Sequence, residues 1–531
     1  MRGFLRLRAS TACGPTSGSS AMRVTTLGEL LPGAARAFGE RTALICGDEQ
    51  MSFAALDRQS RRLAAYLVGL GLRPGDRVSL WMENSVQWVV CYYAVYAAGA
   101  VVNPLNALLT LDEVAFATRD CDAKAIITTA ERARALDARP GLQDPPLIVT
   151  VDGDGPAALS TILAGPDPDP DLPAPSIDPR DLAAIAYTSG TTGRPKGARL
   201  SHRGLVLNAA LTAQMHGRTD RDTVVTALPL PHVYGNVILN SAVLTGMTVI
   251  LQRKFAEAVV LADIERHRAT LFEGVPTMYH YLLAYPELDR FDLSSLTRCT
   301  VGGQTMPVAK MEEVERRFGC PLLELWGMTE LGGLGTTHAS RARGALGSIG
   351  VALPSMEVRI AGVEPGRPDP PRGEVGELCV RGPLVMQGYH GNEAATREAI
   401  DPEGWLHTGD LARQDADGYV HVVDRKKDLI LTAGYNIYPA ELERVVAMHP
   451  AVALVAVGSV PDEAKGEVPK AYVVLRPGMT VTEAELLTHC RAHLAAYKVP
   501  RAVTFVDDLP KTSTGKVLRR NLRTLETDAT A

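Results

Sequence analysis

Between residues 27 and 128 the apolar positions fall into short continuous runs and longer helical stripes that take turns along the chain. The pattern predicts a helix after Leu27, a short strand pair around Thr42-Ala-Leu-Ile45, and an amphipathic helix through Leu56 to Leu67. A strand at Arg77–Trp81, a helix from about Ser85 to Ala98 and a strand at Ala123–Thr128 follow. Strands alternating with helices at this spacing favour parallel sheets covered by helices on both faces. The segment Gly165-Pro-Asp-Pro-Asp-Pro-Asp-Leu-Pro-Ala-Pro175 interrupts the alternation, because proline at this density enters neither a sheet nor a helix interior, and is expected to be an exposed connection. Alternation resumes over residues 200–345 and then gives way to short β-like segments, Met356–Ile360 and Val375–Val380. From about residue 428 a separate set of signals, with strands at Ala453–Val457 and Lys470–Leu475 and a helix from Glu483 to Ala495, predicts a small independent α/β unit.

A chain of 531 residues exceeds what one core usually supports, so more than one domain is expected. The formal charge of −5 is spread along the chain and offers no field for nucleic acid or an anionic membrane. The eight cysteines show no zinc-type or redox-motif spacing, and several, such as Cys91 and Cys379, sit in apolar runs where cysteine behaves as a small buried hydrophobe. No apolar stretch reaches the ~20 residues needed to span a bilayer, so a soluble, cytoplasmic protein without a transmembrane segment is expected. Residues 1–21 carry Arg2, Arg6 and Arg8 and no acid; they read as a disordered extension or upstream start, with organelle targeting as the alternative.

The chemistry concentrates at Tyr187-Thr-Ser-Gly-Thr-Thr-Gly-Arg-Pro-Lys-Gly197, which packs three glycines, four Ser or Thr residues, an arginine and a lysine into eleven positions. Leu182–Ala186 before it reads as a buried strand. Glycines let the loop turn its amides toward phosphate oxygens, Ser189, Thr191 and Thr192 add hydroxyl donors, and Lys196 supplies a mobile charge. Gly190 to Gly197 lacks the Gly-Lys-Ser/Thr ending of a Walker loop, which argues against an ordinary P-loop ATPase.

This loop resembles that of the adenylate-forming superfamily, which includes acyl-CoA synthetases, luciferase and the adenylation domains of peptide synthetases. Further motifs of that family follow in order: Leu228-Pro-Leu-Pro-His-Val-Tyr-Gly235, Trp326-Gly-Met-Thr-Glu330, His407-Thr-Gly-Asp410, Asp424-Arg-Lys-Lys-Asp-Leu-Ile430 with Gly434-Tyr-Asn-Ile-Tyr-Pro439, and Pro510-Lys-Thr-Ser-Thr-Gly-Lys516. The resemblance implies an α/β fold: a large N-terminal domain over 22–426, built of α/β subdomains and a β-rich subdomain, and a small mobile α+β C-terminal domain over 427–531. It also implies ATP, Mg²⁺ and coenzyme A as partners of a small-molecule carboxylic acid, with the acid first activated as acyl-AMP and then passed to the thiol.

By resemblance, Glu330 holds Mg²⁺, a hard cation suited to carboxylate and phosphate oxygens. Thr329 contacts the α-phosphate. The nucleotide also meets Thr188, Ser189, Gly190, Thr191, Thr192, Gly193 and Lys196. Trp326 and Gly327 lie near adenine, Asp410 accepts from the ribose hydroxyls, and Arg425 contacts ribose or phosphate. His232 orients the acid, Lys516 neutralises charge building at the α-phosphate, Lys427 is the hinge, and Gly434, Tyr435 and Asn436 face the thiol of coenzyme A in the second step. The acyl pocket is assigned to Tyr234, Gly235, Asn236, Gly302, Gly303, Gln304 and Gly332, with Gly332 and Gly333 expected to leave space for the chain. Gln304 and Thr305 depart from the small apolar residues of many relatives, and Arg298 is a candidate partner for a second carboxylate. The favoured acid is fatty or aliphatic; a short hydroxy or dicarboxylic acid, a carrier protein as acceptor, oxidative luciferase-type chemistry and a catalytically silent nucleotide-binding protein are the alternatives.

Overall fold

The computed structural model describes residues 24–137, 147–167, 175–188, 195–341, 344–364, 366–432, 435–462, 466–511 and 517–526. Among them the strands form four sheets. The first has nine strands, in the order Val351–Ala352, Gly333–Thr337, Leu322–Met328, Arg298–Val301, Leu271–Gly274, Thr223–Thr226, Thr248–Leu251, Thr42–Cys46 and Glu49–Ser52. Its interior pairings are parallel, and the strands at both ends join antiparallel. The second runs parallel through Leu147–Thr150, Ala123–Thr128, Arg77–Trp81, Val101–Leu105 and Leu182–Thr188, and closes on the antiparallel strand Lys196–Ser201.

Helices Val86–Ala97 and Val233–Thr245 are buried nearly all round and pack, with Leu27–Phe38 and His202–Met215, between the two sheets. A mostly apolar surface suits that position, since almost no face meets water. Ser85 starts the first helix by accepting from the Trp88 amide at 3.1 Å. Its buried tyrosines bring hydroxyls that need partners: Tyr92 donates to Asn236 Oδ1 at 3.0 Å, and Tyr93 to Asn240 Oδ1 at 3.0 Å. An unpaired buried hydroxyl costs about 1–3 kcal/mol, so the asparagines of the second helix serve the tyrosines of the first.

A second buried polar cluster ties this helix to the strand ends. Arg218 and Glu273, both fully buried, form an ion pair at 2.7 Å, and Arg218 also donates to Ser241 Oγ at 2.6 Å. Thr300 donates to Glu273 Oε2 at 2.9 Å, and the Tyr234 hydroxyl completes the chain at 2.7 Å from Thr300 Oγ1. Burial beside Arg218, Arg298 and His338 pushes the His216 imidazole well below its usual range, so it is neutral and accepts from Arg218 while bonding Thr337 at 2.9 Å.

The β-like segments after residue 345 form the third sheet, four antiparallel strands at Glu357–Ala361, Gly376–Arg381, Leu406–Gln414 and Val420–Arg425. The fourth sheet belongs to the smaller C-terminal domain, where Tyr435–Ile437, Ile430–Thr432, Gly466–Leu475, Val452–Asp462 and Ala502–Phe505 pack on Pro439–Ala447 and Glu483–His493 over their own core. The fold is the mixed α/β architecture expected, with a large N-terminal and a smaller C-terminal domain. The proline-rich connection falls partly outside the described residues, at 168–174. No helix among the described residues is long and apolar enough to cross a membrane.

Candidate active site

The glycine-rich segment joins two antiparallel strands, with Tyr187 opposite Gly197 and Thr188 opposite Lys196. Ser189, Gly190, Thr191, Thr192 and Gly193 lie outside the described residues. A side chain at Gly197 would press to 2.6 Å from Ile185 and 3.1 Å from the Tyr187 ring, so this glycine is required by packing.

Residues 386–390 lie along the outer strand of this hairpin: the His390 amide donates to Gly197 O at 2.7 Å, Arg199 N to Gly388 O at 3.0 Å and Gln387 N to Arg199 O at 2.9 Å. That brings Tyr389, which belongs to none of the motifs, to Glu330. Its hydroxyl donates to Glu330 Oε1 at 2.7 Å, and Lys196 Nζ stands 5.3 Å above its ring. Burial beside the Glu330 carboxylate raises the phenol's pKa, which keeps it a donor. Met386 N donates to the Glu330 carbonyl at 2.8 Å, so the segment holds both the backbone and the carboxylate of this residue. One carboxylate suits Mg²⁺, which takes one or two from protein and the rest of its oxygens from phosphate and water. Among the described residues no cluster of three or more acidic, histidine or cysteine groups is set to hold a metal by itself.

Four residues before Glu330, Trp326 turns toward the third sheet. Its Nε1 donates to Asp410 Oδ2 at 2.7 Å, and Arg425 Nε pairs with Asp410 Oδ1 at 3.1 Å. Asp410 is thereby held from two sides with lone pairs left on each oxygen for neutral donors. Gly327 follows at a bulge where any side chain would meet Gly333 O at 2.1 Å, and Thr329 opens the short helical turn Thr329–Leu331.

His232 caps helix Val233–Thr245, its Nδ1 accepting from the Tyr234 amide at 3.2 Å, which leaves the proton on Nε2. The acyl-pocket assignments fare less evenly. Asn236 Oδ1 is taken up inside the helix pair, accepting from the Tyr92 hydroxyl and the Asn240 amide. Gly235 marks a close approach, with a Cβ only 2.3 Å from Pro229 O, and Gly302 another, 2.3 Å from Leu325 Cδ1. Gly332 and Gly333 do not leave open space either: Leu205 fills one position and the Asn208 amide the other, and both glycines have positive φ. Arg298 is committed to Asp222 at 2.9 Å and is not a ligand for a second carboxylate. Tyr234 is buried with its hydroxyl in the Thr300–Glu273 chain, whereas Gly303 is exposed and Gln304 partly so beside the end of strand Arg298–Val301.

At the boundary with the small domain, Lys427 lies in a single turn, Lys426–Asp428. Arg519 clamps that turn from the C-terminal segment, pairing with Asp428 at 3.0 Å, Glu443 at 2.7 Å and Asp424 at 3.5 Å. Burial pushes the Asp424 carboxyl up to about 6 against the opposing pull of Arg519. Tyr435 and Asn436 stand in a short strand paired with Ile430–Thr432, while Gly434 and Lys516 lie outside the described residues.

Further features escaped sequence reasoning. Cys299 and Cys320, distant in sequence, place their sulfurs 3.6 Å apart in the core. Glu324, two residues before Trp326, is buried with no hydrogen-bond partner for Oε2 among the described residues, and desolvation pushes its pKa up to about 8. The folded protein therefore keeps a proton through pH 4.5–8 that the unfolded chain has released, and stability falls as pH rises through that window. Glu324→Gln removes this dependence. The variant's advantage in thermal unfolding is expected to grow between pH 5 and pH 8, by on the order of 3 kcal/mol; an offset independent of pH would contradict the buried, protonated carboxyl.

Glu330 beside Tyr389 and Lys196, with Trp326 and Arg425 meeting at Asp410, is the arrangement expected of an adenylate-forming enzyme. The sequence profile of AMP-binding enzymes matches residues 31–390, and that of the AMP-binding enzyme C-terminal domain matches residues 441–516. A long-chain-fatty-acid–CoA ligase of Bacillus subtilis (strain 168) is 36% identical over 535 residues, covering 95% of each chain. A feruloyl-CoA synthase of an Amycolatopsis species is 39% identical over 504 residues, covering 94% of this chain and 99% of its own. The crystal structure of ATP-bound MatB from Rhodopseudomonas palustris superposes with a TM-score of 0.87 at 32% identity, over 95% of this chain and 100% of that one. The chain belongs to the AMP-binding enzyme family and is an acyl-CoA synthetase-like member of the adenylate-forming superfamily.

Proposed function

We propose that this chain joins a carboxylic acid to coenzyme A in two AMP-forming steps, and that the acid is fatty or otherwise aliphatic. The observation that supports the reading is that one short segment, Trp326–Glu330, links the two groups of residues assigned to the nucleotide: Trp326 reaches Asp410, and Glu330 joins Tyr389 beside Lys196. In the first step an oxygen of the acid attacks the α-phosphorus of ATP and pyrophosphate leaves. Lys196 and the hairpin hydroxyls hold the phosphates, Asp410 takes the ribose hydroxyls, Arg425 steadies Asp410, and His232 with its proton on Nε2 orients the incoming carboxylate. Thr329 touches the α-phosphate, and Lys516 offsets the charge gathered there by two anions brought together. Magnesium held by Glu330 supplies further neutralisation of the phosphates when bound. In the second step the small domain turns about Lys427, residues 434–436 face the thiol channel, and the thiol sulfur displaces AMP from the acyl carbon. We place the division between the domains at 426/427.

The two curated relatives act on acids of different shape, a long-chain fatty acid and, by its name, ferulic acid, so an aromatic acid is the second reading. Pyrophosphate release with ATP, Mg²⁺ and a panel of aliphatic, aromatic, hydroxy and dicarboxylic acids, with and without coenzyme A, separates them. Medium- or long-chain aliphatic acids are expected to give the highest kcat/KM; preference for an aromatic or dicarboxylic acid would overturn the substrate assignment.

A further inference from the structure

The lysine motif begins at Pro510, and its first lysine, Lys511, has no part in the two steps above. In the fold Lys511 and Val517 pair across an antiparallel bridge and the Leu518 amide donates to Pro510 O at 2.8 Å, so the two ends of the segment leading to Lys516 are fastened together. Lys511 then crosses to the large domain. Its Nζ donates to the Tyr281 hydroxyl at 2.9 Å and to Asp508 Oδ1 at 2.5 Å, and lies 5.5 Å from the Tyr281 ring centroid. The Lys511 side chain is 17% exposed and Asp508 62% exposed, so the bond to the Tyr281 hydroxyl is the more sheltered of the two and the pair with Asp508 is open to solvent. Tyr281 sits on helix Pro276–Ala284, which starts directly after strand Leu271–Gly274. Val275 at its start lies 3.4 Å from where a Gly303 Cβ would stand, and the Gly302 amide donates to Gly274 O at 3.4 Å. The helix that receives Lys511 therefore begins at the wall of the proposed acyl site.

We propose that Tyr281 is a positioning residue for the first step: it seats the Lys511–Asp508 pair of the small domain on the large domain, holding the root of the Lys516 segment in the orientation that forms acyl-AMP. The contact is made in one orientation of the small domain and lost when that domain turns for thioester formation. This rests on the two-step reaction proposed above. The neighbouring His280 adds no competing cation at neutral pH, since burial, with Lys310 and Arg476 close by, holds it down at about 4.

The test uses the full chain. Tyr281→Phe and Lys511→Met are each expected to slow acyl-AMP formation about tenfold while thioester formation from supplied acyl-AMP is unchanged. The double variant should be no slower than the slower single one, and Lys511→Arg should recover part of the rate. Equal loss in both steps, or no loss in the first, overturns the assignment. A second arm is independent of activity: Tyr281→Cys with Lys511→Cys, treated with a short bis-maleimide, should give an intrachain crosslink identified by peptide mass, and its absence overturns the contact. Wild-type protein that releases no pyrophosphate with any acid would instead refute the proposed reaction, with the crosslink still reading the contact.

Discussion

Lys516→Ala is expected to lower acyl-AMP formation by roughly 10²–10³-fold, the usual effect of removing a donor aimed at developing charge. Thioester formation from supplied acyl-AMP should be largely retained. The asymmetry follows from electrostatics. In the first step a carboxylate approaches a polyphosphate and the negative charge is gathered at the α-phosphate, so a cation there acts mainly in the transition state. In the second step the acyl-AMP is already made and AMP is the leaving group, so the same cation has less to offset. Separate assays of pyrophosphate release and of CoA acylation from synthetic acyl-AMP check this; equal loss in both would remove Lys516 from its assigned role.

Glu330→Gln is the second large effect. The substitution keeps the shape and an acceptor for the Tyr389 hydroxyl, which bonds Glu330 Oε1 at 2.7 Å, but removes the charge that favours a hard divalent cation. Adenylate formation should fall on the order of 10²-fold at physiological Mg²⁺ and recover in part as Mg²⁺ is raised. Pyrophosphate release measured across a Mg²⁺ series decides it. A loss that excess Mg²⁺ does not relieve at all would point to a structural role for the residue.

Much of the architecture was legible because the elements announce themselves locally. The apolar run from Ser85 to Ala98 reads as a helix whatever surrounds it, and Val86–Ala97 is one. Trp326, Glu330, Asp410 and Arg425 were each singled out by motif, and the fold brings Trp326, Asp410 and Arg425 into contact. What the sequence concealed are relations that only the tertiary fold creates. Tyr389 is 59 residues from Glu330 and sits outside any motif, so nothing local marks it as that carboxylate's partner. Glycines mislead for a related reason: the sequence records a missing side chain but not whether the vacancy is open. At Gly332 and Gly333 it is taken by Leu205 and Asn208. Asn236 shows the same limit on a helix, where the residue was placed near the site but its side chain was claimed by Tyr92, 144 positions earlier. Arg298, similarly, answers to Asp222, 76 residues away.

The pH and hinge features rest on burial as well. Glu324 looks like any strand glutamate until the sheet closes over it, and Arg519 looks like a solvated tail residue until it meets Asp424, Asp428 and Glu443. Both lie next to residues of the motif series, so the surroundings of the site are more charged and more enclosed than the motifs alone suggest.

In the proposed first step the acid's own oxygen attacks the α-phosphorus of ATP. The most direct test supplies the best acid of the panel labelled with ¹⁸O in its carboxylate, together with ATP, Mg²⁺ and coenzyme A, and measures the masses of the products. One ¹⁸O is expected in the AMP released for each thioester formed, with none in pyrophosphate. Label in inorganic phosphate with ADP as the other product, or unlabelled AMP, would contradict it.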